Sequence, residues 1–348
     1  MTNCPVTFTN GLIIPSLRLT LDGTKRAPLG FISHAHTDHI ASHGCIITSQ
    51  LNWPFVTDRL VTSQRRRSSD AFLLQPTLCD EIPSVTQHFL LPFMKRCMLQ
   101  DHEFQLLPSG HIWGAAQLLI GFPDGELLLY TGDLKLRPRP TAQQAVLTKA
   151  KYLIIESTFG KPHYCFPSWE EIQSTICQRA RVLLASGILP IFTVYPLGKA
   201  QEVTRALSDG GIPVTVHPEI ARYHRIYEQQ GCTLGSWHLL NEMRPKETAV
   251  LVPQRYGRTQ LERLLAKHGI VDQFHTIFLS GWAVDGHAAS RCGTHEALPL
   301  SDHADWRELL EVVEIVNPQR VYTVHGLPDL AIYLRSQGIE ASHHGSNL

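Results

Sequence analysis

The feature that most constrains this chain is a dense histidine segment at the end of a predicted strand. Four metal-ligand side chains lie within six residues: His34, His36, Asp38 and His39. The apolar residues 29–32 predict a buried strand, and alternate side chains leaving its end point to the same side. His34 and His36 can therefore bind one metal ion. Asp38 and His39 lie on the turn that follows, where they can face a second ion.

Further candidate ligands follow other predicted strands. A catalytic metal ion takes several ligands from the protein and keeps one position open for water. Three residues each follow a strand-like segment and lie beside a glycine: His111, Asp133 and His325. Ends of strands are where open α/β layers place their sites. Each residue is weak evidence alone, but together with the first cluster they predict a metal centre.

This ordered set of residues resembles the ligand set of the metallo-β-lactamase fold. Three added motifs, which contain Glu156, His303 and His325, resemble those of the β-CASP nucleases, the branch of that fold that cuts nucleic acids. The phrases Glu-Ser-Thr-Phe-Gly, Ser-Gly-Trp and Ser-Asp-His-Ala-Asp-Trp are most similar to the bacterial ligase-associated DNA-damage-response exonucleases. The resemblance covers nearly the whole chain, from about Asp22 to Gly326.

The resemblance implies an αββα metallo-β-lactamase sandwich, an α/β fold, with an inserted parallel α/β domain. The pattern of the chain agrees, because strand-rich segments precede Glu156 while helices and strands alternate after Pro167, which is typical of a parallel sheet covered by helices. We expect three segments: the first part of the metallo-β-lactamase domain at 1–167, a β-CASP-like insertion at 168–290, and the C-terminal part of the first domain at 291–348.

Two local signals support this division. Ser168 and Glu171 form a capping box in front of apolar residues at helical spacing, so a helix begins there. Asp124 and Gly125 separate two apolar segments and supply the backbone conformations that a tight hairpin turn requires. Asp22 resembles the family's first motif, an aspartate that braces the histidine loop. A plain Asp-Gly turn is the alternative.

Composition restricts the class of function. The chain has 348 residues, 43% hydrophobic and 18% charged, so it can bury a large core. It has 31 basic and 31 acidic residues, so its formal net charge is zero and no global positive field attracts a polyanion. This balance disfavours a passive nucleic-acid coat protein. It suits an enzyme whose contacts with nucleic acid are local.

Cysteine spacing and hydropathy predict the compartment. The eight cysteines form no Cys-x-x-Cys pair, so we expect reduced thiols in a cytoplasmic protein. No segment approaches eighteen uninterrupted apolar residues, so we expect no association with a membrane.

The predicted cofactors are two divalent metal ions, zinc or manganese. We assign His34, His36 and His111 to the first ion, and Asp38, His39 and His325 to the second, with Asp133 bridging. Two ions about 3.5 to 4 Å apart can clamp a phosphate oxygen and hold a hydroxide as the nucleophile.

Hydrolysis also requires a proton for the departing sugar oxygen. His303 is the best candidate donor, because the ordinary pKa of histidine lies near operating pH. Glu156 can hydrogen-bond His303 and favour its charged form, a pairing that the resemblance also implies. Together with Asp38, these two residues form the predicted catalytic set. The alternative for His303 is a structural role.

Lys199 and Ser301 are the predicted substrate-binding residues. Gly198 and Lys199 open a predicted helix directly after a strand, so backbone N–H groups, the helix dipole and the lysine can grip a phosphate. A helix start with an exposed lysine is the equal alternative. Ser301 precedes His303 in the Ser-Asp-His motif.

The predicted function is hydrolysis of phosphodiester bonds in DNA by an exonuclease of DNA repair, with a DNA ligase and a helicase of the same pathway as partners. An RNA-processing β-CASP nuclease is the main alternative, because a histidine at position 325 is shared with RNA-processing members and is usually absent from Artemis-like DNA nucleases. A small-molecule hydrolase of the same fold and a catalytically silent scaffold are weaker alternatives.

Overall fold

The computed structural model describes residues 5–8, 11–67, 87–240, 248–267 and 273–345, with the backbone alone for 63–67. The chain divides into two compact units. The first unit comprises Met1–Arg137, Ala142–Lys161 and Trp306–Leu348. The second comprises Pro138–Thr141 and Pro162–Asp305. In chain order, the second unit is therefore inserted into the first.

The described strands and helices are numbered in chain order. The strands are β1 (Ile13–Ile14), β2 (Leu19–Leu21), β3 (Leu29–Phe31), β4 (Cys45–Ser49), β5 (Gln87–Leu91), β6 (Arg96–Leu99), β7 (His102–Pro108), β8 (Ala116–Gly121), β9 (Leu127–Tyr130), β10 (Tyr152–Ser157), β11 (Leu189–Val194), β12 (Val214–Val216), β13 (His238–Leu239), β14 (Ala249–Pro253), β15 (Phe274–Leu279), β16 (Glu296–Leu298), β17 (Arg320–Gly326) and β18 (Glu340–His343). The α-helices are α1 (Trp53–Arg67), α2 (Trp169–Ala185), α3 (Lys199–Asp209), α4 (Pro218–Gln229), α5 (Arg258–Lys267), α6 (Ala288–Cys292), α7 (Trp306–Val316) and α8 (Asp329–Ser336).

The first unit contains two sheets that share one apolar core. One sheet has the order β1-β2-β3-β4-β5, and the other has the order β18-β17-β10-β9-β8-β7-β6. Leu21 and Phe31 of the first sheet pack in one buried cluster with Leu118, Tyr130 and Ile154 of the second. Helix α7 contacts β10, and α8 contacts β17 and β18. Two sheets around one core, with helices on the second sheet, agree with the metallo-β-lactamase sandwich that the resemblance implies.

Four strands of the second sheet end at the same edge. Strands β7 and β9 are both antiparallel to β8, and β10 is parallel to both of its neighbours, β9 and β17. Strands β7, β9, β10 and β17 therefore run in one direction. Along β7 the burial alternates at first, and then all of Leu106–Pro108 is buried as the strand approaches this edge. The predicted ligands that follow these strands are therefore brought to one place.

The second unit has a parallel sheet with the order β13-β12-β14-β11-β15-β16. Each described pair in this sheet is parallel, as the alternation of helices and strands predicts. The capping box is present at the start of α2: the Ser168 hydroxyl accepts from the Glu171 N–H, and the Glu171 side chain accepts from the Ser168 N–H.

The insertion runs beyond the 168–290 expected from the sequence. Strand β16 pairs with β15, with Ile277 opposite Glu296 and Leu279 opposite Leu298, so this segment belongs to the parallel sheet. The chain returns to the first unit only at Trp306. Among the described residues, no helix combines the length and apolar character needed to span a membrane.

Candidate metal centre

Three imidazoles meet in the first unit. Two of them follow β3 and one follows β7, and the ring centroids lie 4.6 to 4.9 Å apart. His36 Nδ1 and His111 Nε2 lie 3.1 Å apart. His34, His36 and His111 are all buried. With Asp133 they form a group whose ligand atoms all lie within 4.8 Å of one another.

Asp133, which follows β9, contacts both predicted groups of ligands. Its Oδ2 atom lies 3.2 Å from His34 Nε2 and 3.6 Å from His111 Nε2. The same oxygen lies 3.5 Å from His39 Nε2. One carboxylate oxygen is therefore within reach of ions in both predicted positions.

The donor atoms fit a divalent metal ion. Among the described residues, the buried Nε2 atom of His34 has no hydrogen-bond partner, although Asp133 lies beside it. Facing ring nitrogens repel each other through their lone pairs unless a proton or a cation lies between them. Buried imidazole nitrogens and a carboxylate oxygen are ligands that zinc accepts at about 2 Å. Rings at this spacing can therefore close on an ion with small shifts.

The second group of predicted ligands surrounds His39. Its Nε2 atom faces Asp133 and lies 3.7 Å from Asp38 Oδ2. The ring of His325, at the end of β17, lies 5.0 Å from the ring of His39. The Asp38 side chain is 77% exposed, whereas His39 is buried. Asp38 therefore lies on the solvent side of this group.

Neighbouring carboxylates control the charge of these rings. Burial opposes protonation of His39, but Asp133 and Asp22 outweigh it and raise its pKa to about 10. Burial lowers the pKa of His325, and the charge on His39 adds to this effect. Because a histidine must lose its proton to bind a metal ion, protons and metal compete at His39.

Asp22 supports the histidine loop from behind. Its Oδ1 atom accepts from the Ser33 N–H at 2.7 Å, and its Oδ2 atom accepts from the Ser33 and Tyr130 hydroxyls at 2.5 and 2.7 Å. Oδ2 also lies 3.0 Å from His39 Nδ1. A carboxylate on one ring nitrogen directs the other nitrogen towards a metal. The structure thus places Asp22 where the resemblance implies a brace.

Glycines allow the ligand loops to approach each other. A Cβ atom on Gly110, which has φ +78°, would lie 2.0 Å from the Lys135 carbonyl oxygen. A Cβ on Gly132, with φ +55°, would lie 2.7 Å from the Ser33 Cβ. A larger side chain at either position would push His111 or Asp133 away from the other ligands.

The remaining predicted residues are divided between the two units. Glu156 is fully buried at the end of β10 in the first unit, where its Oε1 atom accepts from the Leu134 N–H at 2.7 Å. Lys199 begins α3 of the second unit. Ser301 and His303 lie between β16 and α7, also in the second unit. The pairing of Glu156 with His303 stays a prediction.

Comparison with known proteins shows what this chain is similar to. A family model described as "Zn-dependent metallo-hydrolase RNA specificity domain" matches residues 290–345. A "Probable DNA ligase" of Opitutus terrae is 34% identical over 97% of this chain and 30% of its own length. A "Probable RNase MJ4" of Methanocaldococcus jannaschii is 24% identical over 89% of this chain and 84% of its own length. The mouse "DNA cross-link repair 1A protein" is 22% identical over 88% and 30%, respectively.

The chain resembles the metallo-β-lactamase β-CASP nucleases, and these matches agree with that resemblance. It spans about a third of the length of two of these relatives and most of the length of the third. The clustered histidine and aspartate residues of the first unit fit a divalent metal centre.

One contact that supports the metal centre is not evident from the sequence. Lys135 and Glu308 form a buried ion pair, with Nζ and Oε2 2.6 Å apart, and Glu308 Oε1 accepts from the Arg137 N–H at 2.7 Å. The Lys135 N–H donates to the Ser109 carbonyl. The pair thus connects the loops of Asp133 and His111 to the start of α7. No local pattern signals a contact between residues 173 positions apart.

Proposed function

We propose that this protein is a metal-dependent nuclease that hydrolyses phosphodiester bonds in DNA, acting as an exonuclease in DNA repair. The observation that carries the proposal is the position of Asp133, whose Oδ2 atom lies within 3.6 Å of ring nitrogens from both ligand groups. Such a carboxylate suits a pair of ions that share one bridging ligand. Similarity to a zinc-dependent metallo-hydrolase domain and to a probable RNase supports the same reaction class.

The ligands are assigned to two positions. His34, His36 and His111 would hold one ion, and Asp38, His39 and His325 would hold the other, with Asp133 serving both. When bound, such a pair of ions polarises a phosphoryl oxygen and lowers the pKa of water. Nitrogen and carboxylate ligands suit both zinc and manganese.

His303 would give a proton to the departing sugar oxygen. A protonated imidazole is suited to this step, because it can donate near neutral pH and recover the proton from solvent. Glu156 would hold the ring of His303 and favour its protonated form. In this scheme neither residue is a metal ligand.

DNA is the preferred substrate, and RNA is the second candidate. The relative with the highest identity of the three carries the name of a DNA ligase, and another is named for DNA cross-link repair. RNA is favoured by two observations: the description of the matching family model and the name of the RNase relative. The metal site itself does not distinguish the two polymers.

A DNA ligase is the proposed partner. The similar region makes up 30% of a protein named as a probable DNA ligase, which supports a DNA ligase as the partner. Two activities joined in one chain can act on the same DNA end in succession. The helicase partner stays a prediction from the resemblance.

The substrate can be tested with matched strands. Single-stranded and duplex DNA and RNA of the same sequence, each labelled at the 5′ or the 3′ end, would be incubated with the chain and zinc or manganese. We expect DNA to be shortened progressively from one end, with mononucleotide products. Cleavage of RNA with DNA left intact would contradict the DNA assignment, and a single internal cut would contradict the exonuclease assignment.

The matched control is Asp133→Asn. Asparagine has nearly the same shape as aspartate but lacks the charge needed to bridge two cations. We expect this variant to be inactive on every strand. Equal activity of the variant and the original chain would contradict the bridging role of Asp133, unless purified variants of the other ligands are equally active and another protein in the preparation cuts the strands.

A further inference from the structure

Lys199 forms an ion pair within its own unit. Its Nζ atom lies 2.9 Å from Oδ1 of Asp302, the residue before His303. The side chains are only 12% and 3% exposed, respectively. A lysine paired at this distance and largely buried has its charge neutralised before any substrate arrives. The sequence predicts that Lys199 binds a phosphate, but that role requires a positive charge that is not already paired.

Four N–H groups at the start of α3 have acceptors inside the protein. The Gly198 N–H donates to Gln201 Oε1, and the N–H groups of Gln201 and Glu202 both donate to the Gly198 carbonyl. The Ala200 N–H donates to the Tyr195 carbonyl. These four donors are not directed at a ligand, so they do not form a phosphate cradle.

A second contact holds the same loop. Arg139 donates through Nη2 to the Ser301 carbonyl at 3.3 Å, and its Nε atom lies 3.7 Å from Glu202 Oε1. The Ser301 hydroxyl in turn accepts from the His303 N–H at 3.1 Å. Ser301 is buried, so its hydroxyl shapes its own loop. Helix α3 is thus connected to the Ser-Asp-His segment at Lys199 and, through Arg139, at Glu202.

We propose that Lys199 is a positioning residue: its buried ion pair with Asp302 fixes the loop that carries His303, and Lys199 does not bind the phosphate of the substrate. The inference rests on the proposed role of His303 as the proton donor. It assigns the Gly-Lys-Ala-Gln-Glu motif to support of the catalytic loop. Other residues then determine the affinity for the substrate.

The two roles predict opposite kinetics for Lys199→Met. If the lysine positions the loop, we expect kcat to fall by about 10²-fold, the typical effect of a displaced catalytic group, with KM changed by less than about twofold. A phosphate ligand would instead raise KM, leave kcat near its original value, and lower by about one the slope of log affinity against log salt. The second pattern would overturn the proposal.

Partner variants separate loss of the pair from loss of folding. Asp302→Asn should resemble Lys199→Met, because each leaves one buried charge without its partner. The double variant should be no worse than either single variant, since the interaction is already lost. Lys199→Arg, which keeps the charge, should recover most of kcat. A double variant with multiplied defects, or an Arg variant as inactive as Met, would contradict the ion-pair role.

Arg205→Met is the matched control. Arg205 lies on the same helix and pairs with Asp209 through Nε at 2.7 Å, but both side chains are 30 to 40% exposed. The variant removes one positive charge from α3 without touching the Ser-Asp-His loop. We expect kcat, KM and salt slope to stay within about twofold of the original.

Amide hydrogen exchange tests the inference independently of nuclease activity. Peptides that cover residues 298–305 should exchange faster in the Lys199→Met and Asp302→Asn variants of the whole chain. In the Arg205→Met variant their exchange rate should stay the same. Unchanged exchange in Lys199→Met would overturn the positioning role. If exchange rises as expected while the original chain cleaves no nucleic acid, the proposed function fails and the loop contact stands.

Discussion

At the scale of single residues, the carboxylate of Asp22 concentrates four contacts that fix the histidine loop. Ser33 supplies two donors, Tyr130 supplies one, and His39 faces the same oxygen through Nδ1. Burial opposes the charged form of Asp22, but the charge and hydrogen bond of His39 lower its pKa overall. Because these contacts occupy its oxygens, we expect Asp22 to act on a bound metal through His39 and not as a ligand, although its carboxylate lies in one group with His34 and His39.

Asp22→Asn should therefore weaken metal binding without removing a site. An amide supplies one acceptor in place of two and brings a donor group towards Ser33, so the ring of His39 is less well held. We expect zinc affinity to fall by about 10- to 100-fold with unchanged stoichiometry. Competition with a chromogenic chelator measures both quantities.

Tyr130→Phe is the comparison for this experiment. It removes one of the four contacts on Asp22 and leaves the carboxylate in place, so its effect on zinc affinity should be much smaller. Loss of a whole equivalent of zinc from Asp22→Asn would make Asp22 a ligand. Equal zinc affinities in the original chain and both variants would show that Asp22 does not support the metal site.

Sequence patterns predict the site best where its residues are neighbours in the chain. His34 and His36 were found because a strand end directs alternate side chains to one side, a rule that needs no tertiary information. The ion pairs Lys135–Glu308 and Lys199–Asp302 join distant segments, and a lysine in a sequence looks the same whether it is solvated or buried. From the sequence alone, Lys199 is therefore a candidate for substrate binding.

At the scale of elements, α3 and α4 enclose a histidine that the proposed chemistry does not use. His224 of α4 is fully buried, with Nδ1 3.0 Å from Gln201 Nε2 and Nε2 2.7 Å from Thr204 Oγ1. Both partners belong to α3. Burial lowers the pKa of His224 to about 3, so the ring is neutral in the folded unit.

This pKa makes the second unit sensitive to acid. The unfolded chain binds a proton at His224 below about pH 6.5, while the folded ring stays neutral until about pH 3. Stability is thus fully present above pH 6.5 and falls as the pH drops, by up to about 1.4 kcal/mol per pH unit from this ring. His224→Gln, which keeps polar contacts but cannot titrate, should lose less stability between pH 7.5 and 5.

Urea unfolding of the two proteins at both pH values measures this difference. Trp237 packs edge-on against His224, with ring centroids 5.1 Å apart, so tryptophan emission reports on the region. Parallel loss of stability in the original chain and the variant would show that His224 does not carry the effect.

Helix α2 and strand β16 show which parts of the fold can be predicted from a sequence. The start of α2 was predicted correctly because the capping box is complete within four residues, Ser168 to Glu171. The place where the insertion ends was not, because it depends on the pairing of β16 with β15. Pairing between strands is decided by packing of the whole sheet, and a short segment such as Glu296–Leu298 carries little pattern of its own.

At the scale of the whole molecule, the predicted metal ligands and the largest parallel sheet belong to different units. All seven ligands lie in the first unit: His34, His36, Asp38, His39, His111, Asp133 and His325. Each unit has its own apolar core, around Leu118 and Tyr130 in the first and around Ile176 and Leu251 in the second. Metal binding should therefore stabilise the two units unequally.

Hydrogen exchange of zinc-saturated and zinc-depleted protein can test this expectation. A ligand at 1,000 times its Kd stabilises the folded state that binds it by about 4 kcal/mol. We expect zinc to slow exchange of slowly exchanging amides in β7, β9 and β10, and to leave α4 and β14 of the second unit nearly unchanged. In Asp133→Asn, zinc should protect neither unit. Equal protection of both units by zinc would mean that metal binding is not confined to the first unit, and the ligand assignment would then be wrong.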